Sequence, residues 1–428
     1  MERQYLYSSD ILLPQNCDYK KWSVIACDQY TSDPNYWEQV SQIVGDSPSA
    51  LNMILPEIYL ESPEVDERIS KIRVYMQLYL SNVLREEKNA LIYTERRLSS
   101  GAVRHSIIGA VDLMDYDFRR GSAAPIRATE GTVLSRIPPR VKIREGAPLE
   151  LPHVILLMDD KAETVIEPLT AEMDWKQPLY DFELMMNGGH LRGIRLTEEQ
   201  QQRVINAVTV LAEPEAFYTK YGDENPLVFA VGDGNHSLAT AKTAFEQLRQ
   251  TLTDEEAMKH PARYALVEVM NLHDASLCFE PIYRAVFRVD TEDLIQSFCR
   301  YYPDAIRISG PAGDSEKGKG HVFAYLAGGR EETVIVRNPS AQLPVGTLQN
   351  FLDDYLKTHK EAFVDYIHGV ETTKKLARQS NTAGFLFRGM EKDDLFRTVI
   401  KDGALPRKTF SMGEADDKRF YLECRKIR

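Results

Sequence analysis

Apolar positions recur at helical spacing along several long stretches and run unbroken through short ones between them. Over residues 64–87 an acidic turn leads into Ile69, Ile72, Met76, Leu80 and Val83, which predicts a helix. Thr197 to Gln200 fits a capping box, with the Thr hydroxyl accepting from a backbone N–H and Gln200 reaching back. Val204, Ile205, Val208 and Leu211 then form the apolar stripe of a second helix. Arg104 to Leu113, Pro152 to Asp160 and Arg263 to Asn271 read as strands. Leu227 to Val231 is a short apolar run ending in glycine. It is followed by Leu238, Ala241, Phe245, Leu248 and Leu252 at alternating spacings of three and four. That stretch predicts strand, tight turn, helix. HVFAYL and ETVIVR around AGGRE predict a hairpin with a glycine loop. Lys392 to Lys401 predicts a helix, with Gly403 at its C-cap and Pro406 just beyond.

The alternation of elements places the chain in the α/β (α+β) class. The most linker-like segment, Gly310 to Gly320, reads as a loop in a second subdomain. The expected division is 1–225, holding a basic segment, and 226–428, or a single intertwined unit.

Composition narrows the function classes. Of 428 residues, 52 are Lys or Arg and 64 Asp or Glu, a formal charge of -12, and 43% are hydrophobic. The longest aliphatic run, Val154 to Met158, is far short of the roughly 20 residues that span a bilayer. The first residues show no basic head before a long apolar stretch, so no secretory signal is expected. An acidic total disfavours nucleic acid as a bulk partner. Five scattered cysteines without a CxxC disfavour a disulfide framework or structural zinc. The expected location is cytoplasmic, and the reading leaves room for a homodimer.

The sharpest chemical feature is VGDGNHSLATAK, Val231 to Lys242. Gly232 and Gly234 bracket Asp233, and Asn235, His236 and Ser237 open the helix. Helix N-termini offer N–H groups and a positive dipole end to a phosphate, and glycine permits close ligand approach. Asp233 is a metal ligand or proton acceptor, and His236 a donor to a phosphoryl oxygen. In the bland alternative, Ser237 caps the helix while Asp233 and Asn235 serve the turn.

Within the acidic total lies a local reversal. Residues 119–144 hold Arg119, Arg120, Arg127, Arg136, Arg140, Lys142 and Arg144 against a single acid, Glu130. Arginines bind phosphates bidentately. Arg127 sits beside Thr129 and Glu130, and Arg140 follows a Pro-Pro pair. NLHDASLCFEPIYR gathers Asn271, His273, Asp274, Glu280 and Arg284 after a predicted strand, where α/β sheets often line a crevice. LPRKTFSMG adds Lys408 and Thr409, which bind phosphate or belong to an exposed edge strand. In ACDQYTSDPNYWE, Asp28 follows an apolar run, and Ser32 or Asp33 caps the helix carrying Tyr36 and Trp37. Cys27 has no base partner in the sequence and reads as packing.

Together ACDQYTS, ATEGTVLSRIPPRVKIREGAPLELPHVILLMDD, MMNGGHLRG, VGDGNHSLATAK, NLHDASLCFEPIYR and LPRKTFSMG resemble the domain-of-unknown-function 1015 family, in its longer bacterial branch. Its GDGNHS block is distantly similar to the DGHHR-type loop of free-serine kinases, which share the ParB/sulfiredoxin-like fold. Here Asn235 stands for the first His and Ser237 for the Arg. The resemblance implies a ParB/sulfiredoxin-like core within a larger mixed-sheet fold. It further implies a nucleotide-dependent kinase of a hydroxyl metabolite such as free L-serine, using ATP or ADP and Mg²⁺. Asp28 or Glu130 would be the base. Two rivals remain: a nucleotide-binding regulator without turnover, and a metal-assisted hydrolase using Asp233, His236, His273 and Asp274.

Overall fold

The computed structural model describes residues 3–311, 318, 320–413 and 415–428, and of Arg136 the backbone alone. Two compact units result: Met1–Leu277 with Glu414–Arg428, and Cys278–Gly413. The division therefore falls at residue 277 and not near 225, and the last segment returns to the first unit. The physical reason is the sheet. A cut at 225 would remove Phe229–Asp233 and Tyr264–Asn271 from the middle of the largest sheet.

That sheet has nine strands, which in chain order are β1 Ile92–Arg97, β2 Val103–Asp112, β3 Tyr116–Asp117, β4 Ile126–Ala128, β5 Ile155–Met158, β6 Tyr180–Glu183, β7 His190–Arg195, β8 Phe229–Asp233 and β9 Tyr264–Asn271. Their order across the sheet is β6-β7-β1-β2-β9-β5-β8-β4-β3. β4 runs parallel to β8, and β5 parallel to β9, while β5 and β8 are antiparallel. Strands buried on both faces read as unbroken apolar runs, and β5 and residues 229–231 are buried throughout. Packed against this core are Leu238, Ala241 and Phe245 from the helix Asn235–Arg249, and Val204, Ile205 and Val208 from the helix Glu198–Val210.

The periodic segments fold as their patterns predict. The helix over 64–87 is Val65–Asn82 and buries Ile69, Ile72 and Met76. Both capping-box bonds of Thr197 and Gln200 are present. Asp33 caps the helix Pro34–Val44. Leu252, at the end of the predicted stripe, lies beyond the helix end at Arg249.

The second unit is built on an antiparallel sheet. His321–Ala327 and Arg330–Val336 form the glycine hairpin. The helix Lys392–Lys401 ends with Gly403 at a φ of 80°, the left-handed turn that favours glycine. Most of the linker-like stretch 310–320 lies outside the described residues.

The C-terminal segment is stitched into the first unit. Val24 and Ile25 pair with Tyr421 and Phe420, and the Trp22 indole donates to Leu422 O at 3.1 Å. Arg419 is held between Glu268 of β9 and Glu423, the latter at 2.6 Å. Among the described residues no helix is long and apolar enough to cross a membrane.

Candidate functional site

The predicted strand–turn–helix forms as expected. The pairing of β8 with β5 slips between Val231 and Asp233, so Gly232 sits at a bulge, which kinks a strand and re-aims its side chains. Gly234 is the helix N-cap, in the left-handed region at a φ of 81°. A Cβ there would stand 3.0 Å from Val154 Cα, so close packing and backbone angle both demand glycine. The cap makes no side-chain bond, so Ser237 is left for another role.

The sheet then explains which residues meet the loop. Because β4 is parallel to β8, Thr129 emerges beside it. The Thr129 hydroxyl donates to Val231 O at 2.6 Å, and its N–H donates to Asn235 Oδ1 at 3.2 Å. Val133 N–H donates to His236 Nε2 at 3.3 Å, which leaves Nδ1 as that ring's donor. Because β5 is antiparallel to β8, the segment entering β5 arrives at the same edge and brings His153. The pairing of 24–25 with 420–421 delivers Cys27, Asp28, Lys418 and Tyr421.

These groups form two linked sets. Asp233 Oδ1 accepts its neighbour Gly234 N–H at 2.9 Å, and Oδ2 lies 3.5 Å from Lys418 Nζ. Asp28 Oδ2 lies 3.7 Å from His153 Nε2. Burial opposes the charge on Asp28, but His153, the Gln29 amide and Lys418 outweigh it and hold the carboxyl below its ordinary range. His153 Nε2 is also 3.1 Å from Ser237 Oγ, and Nδ1 is 2.8 Å from the Tyr421 hydroxyl. Tyr421 in turn donates to Cys27 Sγ at 3.1 Å. Burial and Asp28 push the Cys27 thiol up to about 12, which fits its reading as an inert group.

Beside Ser237 and His153 opens a cavity of about 160 Å³. Its wall is mainly apolar, with Met53, Leu55, Met76, Leu149, Ala241 and Leu266.

The other predicted residues of the first unit divide between this end of the sheet and the opposite one. Arg127 is buried, and its guanidinium donates to Ala124 O at 2.7 Å and Asn225 O at 2.8 Å. Both carbonyls precede the parallel strands β4 and β8, at the sheet edge opposite the loop. Arg140 pairs with Glu57 and lines the cavity. Glu130 is half-buried and directly follows Thr129. The Arg136 side chain is outside the described residues.

β9 runs antiparallel to β8 across β5, so the residues after β9 also sit at the opposite edge. There Asn271 Nδ2 donates to Asp160 O at 2.9 Å and Glu167 Oε1 at 2.7 Å. His273 Nε2 pairs with Asp159 at 2.7 Å, and Asp274 with His105 at 3.2 Å. Asp233 and His236 are thus separated from His273 and Asp274 by the width of the sheet, which removes the four-residue metal-hydrolase site. Among the described residues no three His, Cys, Asp or Glu side chains group as metal ligands.

In the second unit Arg284 is fully buried. Its guanidinium donates to Ile282 O, Arg407 O and Lys408 O at 2.6–3.1 Å and to Gln349 Oε1 at 3.1 Å. Burying a guanidinium requires this saturation, and the side chain ties its strand to the 407–408 turn and to the helix Pro344–Thr358. The Thr409 hydroxyl donates to Pro406 O at 2.7 Å. Glu280 is exposed on a strand that pairs with Phe410–Met412.

His153, Lys418 and Tyr421 were not among the residues expected at the site. The signal for His153 was present as a polar residue at the mouth of an apolar strand. Lys418 and Tyr421 carry no local signal, because a returning tail places them.

The family model described as a protein of unknown function (DUF1015) matches residues 12–355. The chain belongs to that family, and its fold is mixed α+β. No curated protein matches it in sequence. Among solved structures it is similar to a free serine kinase variant in complex with AMP, at 10% identity and a TM-score of 0.40. That match covers 74% of this chain and 91% of the other. A conserved hypothetical protein from Pyrococcus furiosus matches at 12% identity and a TM-score of 0.35, over 73% and 90% of the two chains. C-terminally truncated SbnI from Staphylococcus aureus matches at 9% identity and a TM-score of 0.35, over 72% and 83%.

Proposed function

We propose that the sheet edge carrying the GDGNHS loop binds the phosphates of ATP or ADP and passes a phosphoryl group to a small hydroxyl compound, free L-serine being the first acceptor to try. The observation that carries this reading is Lys418 Nζ, 3.5 Å from Asp233 Oδ2 in the loop that opens the helix Asn235–Arg249. Cation, helix dipole and N–H groups together suit a phosphate, and phosphoryl transfer is mostly positioning and charge neutralisation.

In this reading the amides after Gly234 and His236 Nδ1 face phosphate oxygens, while Lys418 neutralises charge. Asp28, kept ionised by its neighbours, accepts the acceptor hydroxyl's proton. Mg²⁺ bound with the nucleotide would supply further charge neutralisation, and Asp233 would be the loop carboxylate to hold it. A single carboxylate suits Mg²⁺, which usually keeps several waters.

The test is calorimetric titration with ATP and ADP in the presence of Mg²⁺, followed by ³¹P NMR of a mixture with L-serine. A phosphoserine signal supports the reading. Binding without any phosphorylated product favours the nucleotide-binding regulator, and no binding sinks both.

A further inference from the structure

Ser237 and His153 form a pair the phosphate reading does not use. We propose that Ser237 is a nucleophile activated by His153, and that the adjoining cavity receives the short apolar acyl group of an ester, giving this edge an acyl-hydrolase activity. The inference does not rest on nucleotide binding.

The geometry around Ser237 and His153 carries the argument. The Tyr421 hydroxyl gives its proton to Cys27 Sγ and accepts the Cys27 N–H at 3.3 Å. The Tyr421 hydroxyl also lies 2.8 Å from His153 Nδ1, and the proposed activation uses the tautomer with the ring proton on that nitrogen. Nε2 is then a lone pair, and Ser237 Oγ lies 3.1 Å away, within reach for proton abstraction. A hydroxyl next to a base that a third group orients is the mark of an activated nucleophile. Asp28, 3.7 Å from Nε2, stabilises the imidazolium that forms. Ser237 lies in the first turn of a 15-residue helix, whose leading N–H groups have no partner inside the helix and favour a developing oxyanion.

The cavity selects the substrate. At about 160 Å³ it is close in volume to the roughly 150 Å³ cavity that admits benzene in an engineered protein. Its volume and mainly apolar lining, with the charges of Arg140–Glu57 and Arg144–Glu150 paired on its wall, suit an acyl chain of a few carbons. In the reaction, Ser237 Oγ attacks the ester carbonyl carbon while its proton passes to His153 Nε2. The bond to the leaving oxygen breaks, and that oxygen takes the proton from His153. Water then attacks the acyl-serine, gives a proton to His153, and releases the carboxylic acid as Ser237 is restored.

The full chain would be treated with a fluorophosphonate probe without nucleotide and mapped by mass spectrometry, alongside hydrolysis of p-nitrophenyl acetate, butyrate and octanoate. The expected result is one label per chain on Ser237, none in Ser237→Ala, and labelling at least about a hundredfold slower in His153→Gln. Butyrate should be cleaved fastest. An unlabelled wild-type protein, or a label on another residue, overturns the nucleophile without recourse to any variant's folding. Labelling of Ser237 with acetate cleaved as fast as butyrate overturns the assignment of the cavity.

Discussion

Lys418 Nζ stands 3.5 Å from Asp233 Oδ2, bringing a cation from the returning tail to the loop that opens the helix Asn235–Arg249. The two side chains are only partly exposed, at 17% and 19%, so their charges are less screened than those of a surface pair. Without Lys418 the loop would present Asp233 and nearby Asp28 to an incoming phosphate, an arrangement that repels it.

Replacing Lys418 by Met should therefore weaken ATP binding roughly tenfold, about 1.4 kcal/mol, while Lys418→Arg should retain most of it. Isothermal titration of the three proteins decides this. Equal affinities would show that the cation serves the fold alone.

Gly234→Ala should lower stability by about 1–3 kcal/mol, the cost of a non-glycine residue held at a strained backbone angle. The new Cβ would also press on Val154, at 3.0 Å from Cα and 3.1 Å from Cγ2. Urea unfolding measures the loss. A variant as stable as the parent would mean that the turn relaxes without cost, and that the glycine is required by neither packing nor backbone.

Arg284 separates structure from binding. With its guanidinium bonded to carbonyls inside the second unit, Arg284→Met would strand those acceptors and cost about 3 kcal/mol or more. The variant should unfold at lower urea while its folded fraction binds ATP as the parent does. Unchanged stability with lost affinity would return Arg284 to the phosphate site.

Much of the local architecture was legible because it is periodic. The helix stripe of Leu238, Ala241 and Phe245, the capping box at Thr197 and the apolar run of β5 each follow from side-chain spacing over a few residues. The loop was legible as well, since two glycines before a helix leave few alternatives. Its neighbours were not. Cys27 and Tyr421 meet across 394 positions, and Ser237 meets His153 across 84, through strand pairings that spacing does not encode. Within the basic segment 119–144, Thr129 and Val133 reach the loop and Arg127 does not. Charge is visible in sequence, but the edge to which Arg127 points depends on β4 running parallel to β8. The unit boundary was hidden because a tail that rejoins its first unit leaves no linker to read.

At the opposite edge of the sheet, Asp159 contributes to acid stability. Burial disfavours the charge on Asp159, but hydrogen bonds from His273, Tyr221 and Lys220 prevail and lower its pKa from the usual 3.8 to about 2. A carboxyl depressed on folding contributes stability that is whole above its unfolded value and fades as pH falls through its folded one. The contribution is thus complete above about pH 4 and lost progressively towards pH 2, and a depression of this size corresponds to about 2 kcal/mol. Asp159→Asn removes the titrating group, so its unfolding free energy should fall less steeply between pH 4 and 2 than that of the parent. The parent and variant curves should converge at the acid end. Urea melts at half-unit pH intervals measure both slopes. Parallel curves would mean that Asp159 titrates alike in folded and unfolded chains, and that His273, Tyr221 and Lys220 hold it no more tightly than water does.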